Sequence, residues 1–232
     1  MSESWVSRVL ASLEKGASLQ DVARSAAFAG ALGRVAAVLA RTGVTPNTLT
    51  LLSLTPALAS AVCAAYGALA WSAVFLLLSG LFDMLDGPLA RSTGTVSRYG
   101  ALLDSTVDRV TDALPLLGLT VFFSTSGWMA VVPAFTLLAA YTVSYVRARC
   151  EGLKVQLPPL WMRRGDRMVL IAIALLLGPL SPGFTLFGVG LVGVLSILAA
   201  ADALRVARNV IDARQPEVRG LPDAPTGRDG LA

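Results

Sequence analysis

Three long stretches without a single Asp, Glu, Lys or Arg constrain this chain more than any other feature: residues 48–82, 113–146 and 168–201, of 35, 34 and 34 residues. A transmembrane helix needs roughly 20 apolar residues, so each stretch is too long for one tilted span and fits two short ones. Each is also punctuated near its middle, by "AAYGALAW", "STSGW" and "GPLSPG", where Gly and Pro mark turns between helices. The overall charge supports the same reading. Charged residues make up 15% of the chain, against about 25% in an ordinary soluble domain. Three helical hairpins follow, and with them an all-α integral membrane protein of six transmembrane helices.

The basic residues orient it. Arg8, Lys15, Arg24, Arg34 and Arg41 precede the first span, and Arg91 and Arg98 lie between spans 2 and 3. Arg147, Arg149, Lys154, Arg163, Arg164 and Arg167 lie between spans 4 and 5, and Arg205, Arg208, Arg214, Arg219 and Arg228 follow span 6. All Lys and Arg except Arg109 therefore fall on one side, which the positive-inside rule makes cytoplasmic, with both termini. The chain start lacks a long apolar core and a cleavage site and does not read as a signal peptide. Residues 24–42 are Ala-rich with Arg34 and Arg41 on one helical face, which suits a juxtamembrane helix on the cytoplasmic surface. The boundaries expected are 1–44 for this N-terminal segment, 45–212 for the membrane domain and 213–232 for a disordered tail.

Against this background "DMLDGPLARSTGTVSRYGALLDSTVD", residues 83–108, is anomalous because it holds four aspartates between apolar runs. Asp83 and Asp86 are three apart, and Asp104 and Asp108 four apart, so each pair shares a helix face. Span 2 runs into the cytoplasm and span 3 returns, so the two pairs can face each other. Four carboxylates at close quarters in a low-dielectric site need compensation. Two divalent cations would balance them, and hard oxygen ligands select Mg²⁺ or Mn²⁺. The chain has no histidine, so proton transfer falls to another side chain, most readily a carboxylate. Paired metals on carboxylates suit phosphoryl transfer. Gly100 would let a ligand approach the helix, and Arg91 stands one turn beyond Gly87, where it can hold a phosphate oxygen. A cation- or proton-coupled transporter is the other class that intramembrane carboxylates suggest. Transport sites, however, lie near the bilayer midplane, whereas these residues sit at cytoplasmic helix ends.

The spacing Asp-x2-Asp-Gly-x2-Ala-Arg-x8-Gly-x3-Asp-x3-Asp is filled by Asp83, Asp86, Gly87, Ala90, Arg91, Gly100, Asp104 and Asp108. It resembles the signature of the CDP-alcohol phosphotransferases, membrane enzymes of phospholipid headgroup synthesis. The resemblance implies that an acceptor hydroxyl attacks the β-phosphorus of a CDP-linked lipid such as CDP-diacylglycerol and releases CMP. It implies Asp83, Asp86, Asp104 and Asp108 as ligands of two Mg²⁺ or Mn²⁺ ions, and Asp108 as the base. Pro46, Asn47, Thr48 and Leu49 of the "TPNTLT" segment, with Gly87, Ala90, Arg91, Ser97 and Gly100, are implied for the CDP-donor. A homodimer in the cell membrane is implied as well, with the lipid bilayer as partner and no nucleic acid.

"SYVRARCEGL" (144–153), with Arg205 and Arg208, resembles the inositol-phosphate branch of that family. Arg147, Arg149, Arg164, Arg167, Arg205 and Arg208 are accordingly expected to form a cationic pocket for a phosphorylated alcohol in a cytoplasm-facing polar cavity. The chain reads "MRRGDR" where that branch shows Glu-Arg-x-Glu-Arg, which keeps glycerol phosphate and other acceptors open. The same arginines would also serve orientation and anionic lipid alone.

Overall fold

The computed structural model describes residues 26–157 and 161–219. The described residues are helical, with short connections and no strand. Helix α1 is Ala26–Arg41, α2 Pro46–Leu52, α3 Leu54–Ala65, α4 Leu69–Thr93 and α5 Arg98–Phe123. A 3-10 segment, Ser124–Ala130, leads into α6, Val131–Gly152, followed by α7, Arg164–Leu176, and α8, Pro182–Arg219.

Local chemistry sets the helix ends around the acidic motif. Thr45 caps α2, its side chain accepting from the Thr48 N–H at 3.2 Å, and Pro46 follows in the first turn, where a missing N–H costs nothing. The bend at Ser53 barely interrupts the helix, so α2 and α3 form one 20-residue stretch from Pro46 to Ala65. Gly94, at φ 67°, closes α4 in the left-handed conformation that only glycine adopts at little cost. Ser97 then caps α5, accepting from the Gly100 N–H at 3.0 Å. A second glycine, Gly127 (φ 64°, ψ −120°), turns the chain between α5 and α6.

Four helical stretches are long and apolar enough to cross a membrane: Pro46–Ala65, Leu69–Thr93, Arg98–Gly152 and Pro182–Ala213. The third is 55 residues long and includes the break at Gly127, with α5 on one side and α6 on the other. Helix α7 has only 13 residues, about 20 Å at 1.5 Å per residue, too short to cross a ~30 Å hydrocarbon layer alone. Its first turn is pinned among carboxylates of α4 and α5, so it starts inside the bundle at the level of the acid cluster.

Packing follows the logic of a membrane interior. Leu58, Val62, Trp71, Leu138, Phe187 and Leu198 are exposed, while Ser60, Ser72, Ser79, Thr136 and Thr185 are buried. The buried hydroxyls bridge helices. Ser60 donates to the Ser72 carbonyl at 2.8 Å, Ser79 to that of Ser53 at 2.9 Å, Thr136 to Val189 at 2.9 Å and Thr185 to Ala174 at 2.9 Å. Such bonds and small interfacial residues hold helices together where lipid offers no hydrophobic drive between them. Gly118 of α5 is the tightest instance: a Cβ there would collide with the Ala61 carbonyl and lie 2.9 Å from the Ala64 side chain. The main apolar cluster joins α4 to α8, including Leu69, Leu116, Leu119, Val143, Leu175 and Val189.

The two ends add detail to the expected boundaries. Helix α1 packs on the bundle, with Ala36 buried against Leu49, Leu85 and Leu89. Helix α8 runs to Arg219, past the boundary expected at 212, so the first part of the supposed tail is helical. Residues 1–25 and 220–232 lie outside the described residues, including the rest of both expected end segments.

Candidate active site

Helices α4 and α5 bring the motif together across the turn at Gly94. One carboxylate oxygen from each of Asp83, Asp104 and Asp108 lies within 4.8 Å of the others, and all three residues are half-buried. Their donor set, three hard oxygens with no nitrogen or sulfur, fits a divalent cation such as Mg²⁺ or Mn²⁺. The expected fourth member, Asp86, stands outside this group of three but lines the same cavity as Asp104. Asp86 is 8% exposed and accepts from Thr50 Oγ1 at 2.6 Å, so its carboxylate belongs to the wall between α2 and α4.

That wall is part of a cavity of about 430 Å³, lined by Pro46, Asn47, Thr50, Asp86, Gly87, Ala90, Arg91, Thr95, Val96, Ser97, Gly100, Ala101 and Asp104. Seven of the residues expected at a CDP-donor site line it: Pro46, Asn47, Gly87, Ala90, Arg91, Ser97 and Gly100. Gly100 permits a close approach, since a Cβ there would stand 3.0 Å from Ser97 Oγ and 3.2 Å from Asn47 Oδ1. Thr48 and Leu49 do not line it. Thr48 Oγ1 turns back to Thr45 Oγ1 at 2.8 Å, and Leu49 is buried among Ala36, Leu85 and Leu89. On a helix, consecutive residues point about 100° apart, so the segment cannot present four neighbours to one cavity. Thr50, one turn after Pro46 and Asn47, faces it instead.

A smaller cavity, about 190 Å³, opens on the other side of the acid cluster, lined by Asp108, Arg109, Asp112, Ser144, Arg147, Ala148, Glu151, Arg164 and Arg167. Arg164, in the first turn of α7, is its hub. Its Nη1 lies 2.6 Å from Asp83 Oδ2 and 2.8 Å from Asp108 Oδ1, its Nε 3.0 Å from Asp112 Oδ1, and its Nη2 donates to Thr111 Oγ1 at 2.9 Å. Arg167, 3% exposed, reaches Asp112 Oδ2 at 3.4 Å, Ser144 Oγ at 3.2 Å and the Met162 carbonyl at 3.2 Å. Arg147 donates through Nη2 to the Trp161 carbonyl at 2.9 Å. The buried Nε atoms of Arg147 and Arg167 have no hydrogen-bond partner among the described residues, whereas Asp108 Oδ1 is held by its ion pair with Arg164. Buried polar atoms of this kind are seldom left unmatched in a folded protein.

The arginines expected to gather here therefore divide. Arg147, Arg164 and Arg167 meet at the small cavity. Arg149 is exposed on α6, and Arg205 and Arg208 are exposed on α8, where Arg208 pairs with Asp212 at 3.5 Å. Their α8 neighbours Ala203 and Ala207 are buried against Val146, Cys150 and Val155, so α8 is still packed at this level and the two arginines lie on its outer face. Sequence reasoning missed Thr50, Arg109, Asp112 and Ser144. The i,i+4 spacing of Asp112 from Asp108 was the signal available for one of them.

The model of the family described as CDP-alcohol phosphatidyltransferase matches residues 43–204, which contain both cavities and the acid cluster. The chain belongs to the CDP-alcohol phosphatidyltransferases. Within this family it is 31% identical over 211 residues to a phosphatidylinositol phosphate synthase of Mycobacteroides abscessus, covering 87% of this chain and 93% of that protein. Its fold is similar to two crystal structures of the phosphatidylinositol phosphate synthase of Mycobacterium tuberculosis. One holds CDP-DAG (TM-score 0.69, 25% identity, 87% of this chain and 98% of that one). The other holds manganese and citrate (TM-score 0.71, 25% identity, 87% and 93%). The acid cluster and the cavity between α2, α4 and α5 are thus features of a CDP-alcohol phosphatidyltransferase.

Proposed function

We propose that the chain is a phosphatidylinositol phosphate synthase, transferring the phosphatidyl group of CDP-diacylglycerol to inositol phosphate with release of CMP. One observation carries the reading: two cavities meet at one carboxylate cluster, the larger lined by the motif residues and the smaller by arginines. The larger takes the cytidine diphosphate, with Asn47, Gly87, Arg91, Ser97 and Gly100 as its wall. The smaller takes the acceptor, its phosphate meeting Arg147, Arg164 and Arg167. Support for an anionic acceptor comes from the unmatched Nε atoms of Arg147 and Arg167, which such a phosphate would satisfy. Arg149, Arg205 and Arg208 drop out of this pocket and keep a role in orientation.

Asp83, Asp104 and Asp108 would hold a divalent cation, Mg²⁺ or Mn²⁺, and Asp86 a second one once its bond to Thr50 is shared. The bound ions would neutralise the diphosphate and stabilise its leaving oxygen. Asp108 is the member of the cluster that lines the acceptor cavity, while Asp104 lines the donor cavity, so Asp108 stands on the side from which the acceptor hydroxyl arrives. Its carboxylate takes the proton of the acceptor hydroxyl as that oxygen attacks the donor's β-phosphorus. A P–O bond forms, the bond to CMP breaks, and the phosphodiester and CMP leave.

The membrane arrangement is part of the reading. Helix α2 with α3, then α4, α5, α6, α7 and α8, would make six spans with both termini cytoplasmic, in a homodimer. The four long stretches and the division of the 55-residue one at Gly127 support this, α7 being a short span that begins at the level of the acid cluster. The test is CMP release by purified protein from CDP-diacylglycerol in the presence of Mg²⁺ or Mn²⁺, with inositol phosphate, inositol, glycerol phosphate and serine as separate acceptors. Turnover restricted to inositol phosphate is expected. Preference for glycerol phosphate would make the chain a phosphatidylglycerophosphate synthase, and no CMP from any acceptor would remove the enzymatic reading.

A further inference from the structure

Asp112 belongs neither to the acidic motif nor to the triad that gathers for a cation, yet its two oxygens engage two arginines. Its Oδ1 is 3.0 Å from Arg164 Nε and its Oδ2 is 3.4 Å from Arg167 Nη2, so one side chain bridges two guanidiniums of the first turn of α7. Arg164 is meanwhile shared. Its opposite edge, Nη1, reaches Asp83 at 2.6 Å and Asp108 at 2.8 Å, two of the three carboxylates of the triad. We propose that Asp112 is a positioning residue that holds Arg164 and Arg167 at the wall of the acceptor cavity, and so limits how strongly Arg164 competes with a divalent cation for Asp83 and Asp108. The proposal rests on the function assigned above.

The physical argument is one of divided attraction. A guanidinium is a rigid planar fork, so the anchor at Nε decides how far Nη1 leans toward the triad. With Asp112 ionised, Arg164 is drawn both ways across a gap of a few ångströms. Without that charge, the remaining carboxylates near its fork are Asp83 and Asp108, and a positive group drawn fully onto them repels a divalent cation sharing the same oxygens. Arg167 is affected in a second way. It is nearly fully buried, and Asp112 is the carboxylate it hydrogen-bonds, with Asp166 adding attraction from its own helix; without the Asp112 charge it keeps Ser144 and the Met162 carbonyl but loses that ion pair. The arithmetic of charge also favours the cavity. Four arginines (Arg109, Arg147, Arg164 and Arg167) and three acids (Asp108, Asp112 and Glu151) line it, which leaves one formal positive charge for an anionic ligand.

The test uses full-length protein in detergent and reads binding directly: Mn²⁺ by the loss of its free-ion electron paramagnetic resonance signal, and inorganic phosphate by calorimetry. Asp112→Asn keeps the shape and removes the charge. It should weaken Mn²⁺ about tenfold although Asp112 is no ligand, and weaken phosphate about tenfold as well, from the loss of charge-assisted contacts. Arg164→Gln introduced on top of Asp112→Asn should restore Mn²⁺ affinity to the wild-type level, because the competing cation is gone, while phosphate binding stays weak. That recovery is a coupling that general loosening of the fold would not produce. Asp112→Glu, which keeps the charge on a longer arm, should retain Mn²⁺ affinity and guards against a misfolded Asn variant. Mn²⁺ binding that Asp112→Asn leaves unchanged, or that Arg164→Gln fails to restore, overturns the inference alone. No Mn²⁺ binding by the wild type overturns it together with the proposed function.

Discussion

At the scale of single residues, the two cavities make opposite demands on the aspartates between them. Asp108 adjoins the acceptor side, and the chain has no histidine to share its task. Asp108→Asn is expected to lower turnover by about 10²-fold or more, as for loss of a general base. Binding of the CDP-lipid, measured separately, should fall much less, because Asn47, Gly87 and Arg91 remain. Equal loss of both would make Asp108 a ligand first and a base second. Thr50 gives a sharper test of the donor side. Its hydroxyl donates to the buried Asp86 at 2.6 Å, and a hydrogen bond to a charged group contributes about 1.5–3 kcal/mol. Thr50→Val keeps the volume and removes that bond, so the apparent KM for the CDP-lipid should rise about ten- to a hundredfold with acceptor KM unchanged. An unaltered donor KM would show that Asp86 does not act at the donor cavity.

At the scale of elements, the site depends on how closely α3, α4 and α5 approach one another. The α3–α5 contact is set at Gly118, which lies about three turns from Asp108 along α5, against the Ala61 backbone. Gly118→Ala cannot be absorbed by a rotamer change, since the opposing atom is main chain, and overpacking of this kind costs about 1–3 kcal/mol. A lower melting temperature in detergent and a fall in activity together are the expected result; an unchanged melting temperature would mean that the helices separate without cost. Helix α7 is the other positioning element. Asp166 accepts from the Arg163 N–H at 2.9 Å to cap it, which fixes Arg164 and Arg167 in its first turn beside α4 and α5. Its charged N-terminal turn is therefore placed where carboxylates are, and its apolar remainder packs into the main cluster through Ile171, Ala172, Ala174 and Leu175.

At the scale of the whole molecule, the bundle has two unlike ends. The turns at Tyr66–Ala68, Ser124–Ala130 and Leu177–Ser181 carry no Lys or Arg, whereas both cavities lie toward the basic end. If the basic end is cytoplasmic, Ser126→Cys should react with a membrane-impermeant thiol reagent in intact cells, and Ser92→Cys only after lysis. The native thiols Cys63 and Cys150 are half-buried and buried, which keeps the background low. Labelling in the reverse order would invert the topology and put the nucleotide site outside the cell.

Charge-free runs, glycine breaks and the i,i+3 and i,i+4 aspartate pairs are all local patterns, and local patterns were sufficient for the helical class, the membrane and the acid cluster. Asp83, Asp104 and Asp108 converge because helix periodicity and one short turn leave them little choice. The arginines are a different matter. Arg164 meets Asp83 across 81 residues and Asp112 across 52, and nothing in the spacing of "MRRGDR" distinguishes it from Arg149 or Arg205, which stay outside. The sequence marks all of them as cations of the basic end, and only the depth at which α7 enters the bundle decides which become buried partners. The same holds for Asp86, whose helix face was legible but whose partner, Thr50, is supplied by α2. Chain periodicity sets which way a side chain points. What it meets there is set by the packing of helices distant in sequence, because a buried charge is tolerated only where another element brings its counter-charge.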